Sequence, residues 1–111
     1  MSESGSLTVS THVLDTVAGL PARKVSVRLT DARGAVLATA TTDGDGRARP
    51  SPVAPLVPGV YRLVFETGAY FRGVGRDCFF PEVVITFETV QGHTHIPILL
   101  SPFAYSTYRG S

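Results

Sequence analysis

Three imidazole side chains are the groups in this sequence best suited to proton transfer, because histidine changes charge between about pH 5 and 8. The histidines are His12, His93 and His95. Each lies in a segment where apolar and polar residues alternate with period two, which is typical of a half-buried strand. His12 and His95 are predicted to leave their strands on the face away from the core. A histidine in that position is either a solvated surface residue or part of a functional site.

The C-terminal segment favours the functional interpretation. Residues 106–111 include Arg109 and end with a carboxylate. Chain ends usually fray, but this one follows a strand-like stretch with aromatic residues at Phe103, Tyr105 and Tyr108. We therefore expect the terminus to be held in place. Its charge pair, the Arg109 side chain and the terminal carboxylate, is expected to take part in a functional site.

Alternation with period two recurs along most of the chain and predicts strands almost throughout. The core faces are expected to include Val9 and Val13 in the first strand and Ile96, Ile98 and Leu100 near the end. Residues 67–74 break the alternation and predict one or two helical turns, with Thr67 as a possible cap. Seven or eight short strands separated by turn signals indicate a two-sheet sandwich. The predicted strands cover residues 7–13, 25–30, 36–42, 61–66, 83–89, 93–100 and 103–109.

The composition suggests that other subunits cover part of the surface. Charged residues make up 17% of the 111 residues, against about 25% in typical soluble domains. The low charge content indicates either a homo-oligomer, whose interfaces resemble a core cut in half, or a domain that is poorly soluble alone. The net charge is +1 and the basic residues are scattered, which argues against a nucleic-acid partner. No apolar stretch reaches membrane-spanning length.

The single cysteine and the N-terminal residues bear on location. Cys78 has no intrachain disulfide partner, which fits a reducing compartment, and we expect a buried or half-buried thiol. Residues 1–6 lack the basic and apolar regions of a signal peptide. They are expected to form a short disordered tail before a single domain over residues 7–111, in a cytoplasmic protein.

Two places in the sequence carry side chains of the kinds that bind metal ions. The segment Asp43-Gly44-Asp45-Gly46 resembles a calcium loop in part, but it lacks a further acidic position and the distal glutamate, so a turn is favoured. His12 and His95 could bind zinc, although a third ligand is not evident. We expect neither a metal nor another cofactor.

Several motifs of the sequence resemble those of a known family. The chain is similar to the 5-hydroxyisourate hydrolases, which are also called transthyretin-like proteins, over residues 7–111. The hormone carrier transthyretin shares their fold but differs at the histidines and at the terminus. The resemblance rests on Thr11-His12-Val13-Leu14-Asp15, Asp45-Gly46-Arg47, Thr67-Gly68-Ala69-Tyr70-Phe71, Phe79-Phe80-Pro81-Glu82, His93-Thr94-His95-Ile96-Pro97, Ser101-Pro102-Phe103 and the closing Tyr108-Arg109-Gly110-Ser111.

The resemblance implies an architecture and a set of site residues. The fold would be an all-β, transthyretin-like (prealbumin-like) sandwich of two four-stranded sheets, with one short helix near residues 68–75. Four copies would form a homotetramer with active sites at the dimer–dimer interface. His95 is favoured over His93 for catalysis because it precedes Ile96-Pro97. The implied catalytic residues are His12, Arg47, His95, Arg109 and Ser111, and the implied substrate-binding residues are His12, Arg47, His95, Tyr108, Arg109, Gly110 and Ser111.

The implied reaction is the metal-independent hydrolysis of 5-hydroxyisourate to 2-oxo-4-hydroxy-4-carboxy-5-ureidoimidazoline in urate degradation. This cyclic amide hydrolase would use a histidine as the base for water, and which histidine serves is left open. Arg47 and Arg109 would hold the imidazoles neutral and bind substrate oxygens with their planar forks. The Ser111 carboxylate would orient an arginine or a histidine. Two alternatives stay open: a binding module for a flat aromatic ligand in the tetramer channel, and a structural interaction domain.

Overall fold

The computed structural model describes residues 7–111, and the tail expected over residues 1–6 lies outside the described residues. Within the described part, none of the helical structure is long and apolar enough to cross a membrane. The elements in chain order are β1 (Thr8–Asp15), β2 (Leu20–Pro21), β3 (Ser26–Asp31), β4 (Val36–Thr41), β5 (Arg47–Ala48), β6 (Gly59–Phe65), α1 (Thr67–Gly73), β7 (Val83–Thr89), β8 (His93–Ser101) and β9 (Ala104–Thr107).

The strands form two sheets, which confirms the predicted sandwich with one short helix. One sheet has the order β4-β3-β6-β7, and all of its pairs are antiparallel. The other has the order β2-β1-β8-β9, and β5 also pairs with β1. Because β8 runs along one edge of β1 for its whole length, β2 and β5 share the other edge. This sheet is therefore four positions wide, although it contains five strands.

The core lies between the sheets and follows the predicted alternation. Val9, Val13 and Ile98 are at most 1% exposed, and Ile96 and Leu100 are buried beside them. Burial of each aliphatic side chain of this kind stabilises the fold by roughly 1.5–3 kcal/mol. The strands that carry His12 and His95 are thus fixed from their inner faces.

The helix α1 is anchored by an aromatic side chain and not by the predicted cap. Thr67 is the first helical residue, Glu66 precedes it, and no side chain caps the helix. The Thr67 hydroxyl instead donates a hydrogen bond of 2.6 Å to the carbonyl of Phe80. The predicted capping role of Thr67 was therefore wrong, because a carbonyl of the following loop takes up the hydroxyl. Phe71 is fully buried and fastens the helix to the core.

A buried carboxylate ties the end of β1 to the helix. Asp15 is 2% exposed, and its Oδ1 accepts hydrogen bonds of 3.0 Å from the amides of Val17 and Ala18. Its Oδ2 accepts a hydrogen bond of 2.7 Å from the Tyr70 hydroxyl. Burial, followed by this hydrogen bond, raises the pKa of Tyr70 to about 12, so Tyr70 stays a donor. The C-terminal end of β1 is therefore held at a fixed position.

The cysteine occupies the predicted environment. Cys78 is half-buried and unpaired. Its thiol lies 2.9 Å from the carbonyl oxygen of Phe80, to which it donates. The expectation of a half-buried thiol is confirmed.

Candidate active site

The parallel pairing of β1 with β8 aligns polar side chains on the outer face of the sheet. Residues opposite each other on paired strands project from the same face. The outward orientation predicted for His12 and His95 is confirmed, since both are half-buried while their neighbours Val13 and Ile96 are buried. The register pairs Thr8 with His93, Ser10 with His95, and His12 with Pro97.

The Ser10 hydroxyl connects His93 and His95, and the Thr8 hydroxyl extends the series from His93. The Thr8 Oγ1 lies 2.5 Å from Nδ1 of His93. The Ser10 Oγ lies 2.7 Å from Nε2 of His93 and 2.8 Å from Nδ1 of His95. A continuous series of three hydrogen bonds therefore runs from the exposed Thr8 to His95.

A tight turn places Arg47 on the same face of the sheet. Strand β5 pairs with β1 so that Arg47 lies opposite His12. The turn before β5 is closed by Asp43, whose Oδ1 accepts hydrogen bonds of 2.9 and 3.0 Å from the amides of Asp45 and Arg47. These bonds, the Arg47 amide first, hold the pKa of Asp43 below its usual value. The turn interpretation of residues 43–46 is confirmed, and its first carboxylate is engaged by backbone amides.

His12, the third histidine of this face, has a defined proton position. Nε2 of His12 lies 2.8 Å from the carbonyl oxygen of Asp45. Because a carbonyl only accepts, Nε2 must carry the hydrogen. In a neutral His12 the free acceptor is then Nδ1.

A cavity of about 360 Å³ opens on this face. It brings together three of the predicted site residues, namely Arg47, His95 and Ser111, and adds His93 and Arg49. This volume is near the lower end of the range for small-molecule sites. His12 lies on the same face, opposite Arg47.

Tyr108 and Arg109 lie elsewhere in the single chain. Both line a different cavity, of about 370 Å³, beside Phe87 of β7 and Thr107 of β9. The single chain does not bring them together with His95 and Arg47. Their part in the site stays a prediction that depends on a second copy of the chain.

Gly110 contacts His95 directly. Its amide donates a hydrogen bond of 2.8 Å to the His95 carbonyl, which holds the C-terminal residues against β8 as predicted. A Cβ at position 110 would lie 2.6 Å from Cδ2 of the His95 ring and 3.1 Å from its carbonyl oxygen. Only glycine fits here without displacing either the ring or the chain.

We therefore expect Gly110→Ala to lower kcat by about tenfold or more, because small displacements of a catalytic group are costly in rate. The matched control is Gly59→Ala, where an added Cβ meets no heavy atom within 4 Å. Steady-state kinetics of both variants tests this expectation. Equal kcat values for the two variants would contradict the steric argument.

The surroundings of both β8 imidazoles disfavour their charged form. Burial lowers the pKa of His95 below its usual 6.5, and the charge of Arg47 lowers it further. Burial and then Arg49 lower the pKa of His93. The expected effect of Arg47 on a histidine is thus present, but burial is the larger cause.

Sequence reasoning missed Ser10, Thr8 and Arg49. The alternation does place Ser10 on the same outer face as His12, two positions before it, but the sequence offered no reason to count it among the site residues. The contact between Ser10 and His95 spans 85 positions. It depends on the parallel pairing of β1 with β8, for which the sequence carries no local signal.

No group of three or more histidine, cysteine, aspartate or glutamate side chains within residues 7–111 is arranged to hold a metal ion. The expectation that the site works without metal stays a prediction.

Comparisons with known proteins agree with this architecture. A model of the HIUase/Transthyretin family matches residues 9–110. A 5-hydroxyisourate hydrolase of Salmonella typhi is 42% identical over 114 residues, which cover 97% of this chain and 84% of the relative. The structure of the Klebsiella pneumoniae 5-hydroxyisourate hydrolase aligns with a TM-score of 0.86 and 43% identity, covering 94% of this chain and 98% of that one. Sea bream transthyretin in complex with thyroxine aligns with a TM-score of 0.83 and 31% identity, covering 92% and 93%.

Proposed function

The chain belongs to the HIUase/Transthyretin family, and we infer that it hydrolyses 5-hydroxyisourate in urate degradation. The observation that carries this inference is the cavity in which the neutral imidazole of His95 lies beside the guanidinium of Arg47. A neutral imidazole accepts a proton from water, and a guanidinium stabilises a developing oxyanion.

The experiment uses freshly prepared 5-hydroxyisourate, whose near-ultraviolet absorbance decays spontaneously. Addition of the protein should accelerate this decay. The same decay rate with and without protein would overturn the inference.

We propose the following mechanism for the reaction. A histidine takes a proton from water while the remaining hydroxide adds to a ring amide carbonyl. The carbon–nitrogen bond then breaks, and the leaving nitrogen receives the proton from the histidine. The new carboxylic acid then ionises and releases one proton. The overall reaction consumes one water. The product is 2-oxo-4-hydroxy-4-carboxy-5-ureidoimidazoline, and no metal or cofactor is required.

The proposed roles follow from where the side chains lie. His95 is the base, because it lines the cavity and its charged form is disfavoured there. Arg47 stabilises the oxyanion, and His12 takes part in proton transfer through its free Nδ1. Tyr108, Arg109, Gly110 and Ser111 bind the substrate, with Arg109 contributing positive charge and Ser111 a further catalytic contact.

We propose that four copies form a homotetramer with active sites at the dimer–dimer interface. Large apolar side chains are exposed on the single chain, including Leu20 at 62% and Phe103 at 69%, and charged residues are few. Tyr108 and Arg109 reach a site with His95 only if another copy supplies them. Sedimentation should give four times the monomer mass of 11.8 kDa, whereas a monomer at assay concentration would contradict this arrangement. The single unpaired cysteine supports a cytoplasmic location, which cell fractionation tests.

The pH dependence of kcat/KM should report the base. The neutral imidazole is the active form, so activity is lost as the pH falls through the folded-state pKa of His95. Because that pKa lies below 6.5, we expect the acid limb of the profile below pH 6.5. Arg47→Gln removes one cause of the lowering and should move the limb to higher pH.

Arg33→Gln, in the exposed hairpin before β4, is the matched control and should leave the limb in place. The position of the limb is read separately from its height, since Arg47 is also proposed to contact the substrate. A limb that stays fixed in Arg47→Gln would contradict the assignment of His95 as the base.

A further inference from the structure

We propose that Thr8, His93, Ser10 and His95 form a proton relay, in which Ser10 couples the tautomers of the two histidines and carries protons between His95 and the exposed end of β1. The proposal rests on the proposed function, in that His95 is taken as the base. It assigns Ser10 a positioning role, and it gives His93 and Thr8 a part in proton transfer.

The coupling follows from the number of hydrogens available. A serine hydroxyl has one hydrogen and donates one hydrogen bond. The Ser10 Oγ lies within 2.8 Å of a nitrogen on each ring. It can donate to at most one of the two rings, so at least one ring must donate to it. One histidine therefore presents an N–H to Ser10 whenever the other presents a bare nitrogen.

Two arrangements of the hydrogens make every bond of the series point the same way. In the first, Thr8 donates to Nδ1 of His93, Nε2–H of His93 donates to Ser10, and Ser10 donates to Nδ1 of His95. The hydrogen of neutral His95 is then on Nε2. In the second, every bond is reversed, so that His95 carries its hydrogen on Nδ1 and Nε2 is bare. Only the second direction allows Nε2 of His95 to accept a proton from water.

Proton transfer to His95 converts the second direction into the first. As Nε2 gains the proton from water, Nδ1–H passes to the Ser10 oxygen, and the Ser10 hydrogen passes to Nε2 of His93. Nδ1–H of His93 then moves to Thr8, whose own hydrogen leaves to solvent. Each hydroxyl oxygen loses one hydrogen and gains one, and each imidazole ring gains a hydrogen at one nitrogen and loses one at the other. Both rings are neutral before and after the transfer.

The reverse transfer completes the reaction. His95 now carries its hydrogen on Nε2 and gives it to the leaving nitrogen of the substrate. A solvent proton enters at Thr8, and the bonds return to the second direction. The same ring nitrogen therefore acts first as base and then as acid, without accumulation of an imidazolium ion.

The charges around the rings favour a route that avoids imidazolium. Arg47 and His12 face His95 from β5 and β1, Arg49 acts on His93, and each lowers the pKa of its neighbour. The Ser10 backbone acts on His95 in the opposite direction. The carboxylate of Asp43, which also lines the cavity, is engaged by the amides of its turn. A neutral relay thus suits a site with two arginines close to two histidines.

The side chains of the relay are not the ones that hold the sheet together. Strands β1 and β8 are already joined by their backbone hydrogen bonds, and Val9 and Ile96 anchor them to the core. Thr8 and His93 are exposed in the single chain, which puts the outer end of the series at the mouth of the open cavity face. The hydroxyls at positions 8 and 10 therefore act mainly on the histidines.

The first measurement needs no turnover. Imidazole ¹⁵N chemical shifts report the tautomer of each histidine, and Ser10→Ala should change the tautomer populations of both His93 and His95 relative to the unmodified protein. The matched control is Ser26→Ala, at the exposed start of β3, which should change neither. Unchanged shifts in Ser10→Ala would overturn the relay. A protein that shows the coupling but leaves 5-hydroxyisourate unchanged would refute the proposed function instead.

The second measurement uses kinetics. Ser10→Ala should lower kcat by about 10- to 100-fold with little change in KM, the size of loss that follows removal of the partner that orients a metal-binding histidine. Ser10→Thr restores the hydroxyl and should recover most of the activity. An unchanged kcat in Ser10→Ala, or a folded Ser10→Thr protein as impaired as Ser10→Ala, would overturn the relay. If Ser10→Ala fails to fold, Thr8→Val takes its place, because its exposed position makes it harmless to the core, and it must change the His93 tautomer.

Discussion

Replacement of His95 by alanine is expected to lower kcat by about 10²–10⁴, which is the usual contribution of a positioned general base. The ring lines the cavity beside Arg47, and the proposed mechanism uses it twice, as base and as acid. The fold should survive, because the ring projects from the outer face of β8 and leaves the core side chains in place. The measurement is the steady-state decay of 5-hydroxyisourate absorbance, with circular dichroism as the test of folding.

The companion variant, His12→Ala, tests the division of labour between the two histidines. A loss in the same range is expected, because His12 faces Arg47 and is proposed to share in proton transfer. Thr39→Ala, on the exposed face of β4, is the control and should keep full activity. Unchanged turnover in both histidine variants would end the assignment of either side chain to the reaction.

The parts of the fold that local patterns determine were predicted from the sequence. Alternation with period two located the main strands and the faces of His12 and His95. This works because a side chain that faces the core must be either apolar or hydrogen-bonded. Asp43 and the glycines of its turn were separated from a calcium loop by the positions that are missing. These features depend only on neighbouring residues, and local physics was sufficient to predict them.

Other parts of the site depend on which strands pair, and the sequence has no local signal for this. The contact of Ser10 with two histidines follows from the parallel register of β1 and β8. The assignment of Thr67 as a cap failed for a similar reason, since the carbonyl of Phe80 is brought to the hydroxyl by tertiary structure. Arg109 could not be placed for a related reason, because the proposed site would need a second copy of the chain to bring it to His95 and Arg47.

One glycine determines how the turn that carries Arg47 meets the strand that carries His12. Gly46 has φ of +78°, and an added Cβ would lie 2.4 Å from the backbone oxygen of Val13. The same contact region is fixed by a hydrogen bond of 2.7 Å from the Val13 amide to the Gly46 carbonyl. Neither backbone can move without breaking the pairing of β1 with β5. The requirement for glycine is therefore both conformational and steric.

Gly46→Ala is accordingly expected to destabilise the fold by about 2–5 kcal/mol, the sum of left-handed backbone strain and overpacking against a backbone atom. Two variants separate these contributions. Gly34→Ala has φ of +94° and open space around the added Cβ, so it should lose only the roughly 1–2 kcal/mol of strain. Gly44→Ala, in the same turn as Gly46, meets nothing nearer than 4.0 Å and should be close to neutral.

Urea unfolding of the three variants at one fixed protein concentration measures these differences, since the stability of an oligomer depends on concentration. Gly46→Ala protein that still folds should also lose activity, because relief of the clash with Val13 moves the turn away from β1 and takes Arg47 out of line with His12. Equal destabilisation by Gly46→Ala and Gly34→Ala would mean that the close approach to Val13 relaxes at no cost. In that case activity would require the Arg47 side chain but not the exact position of its turn.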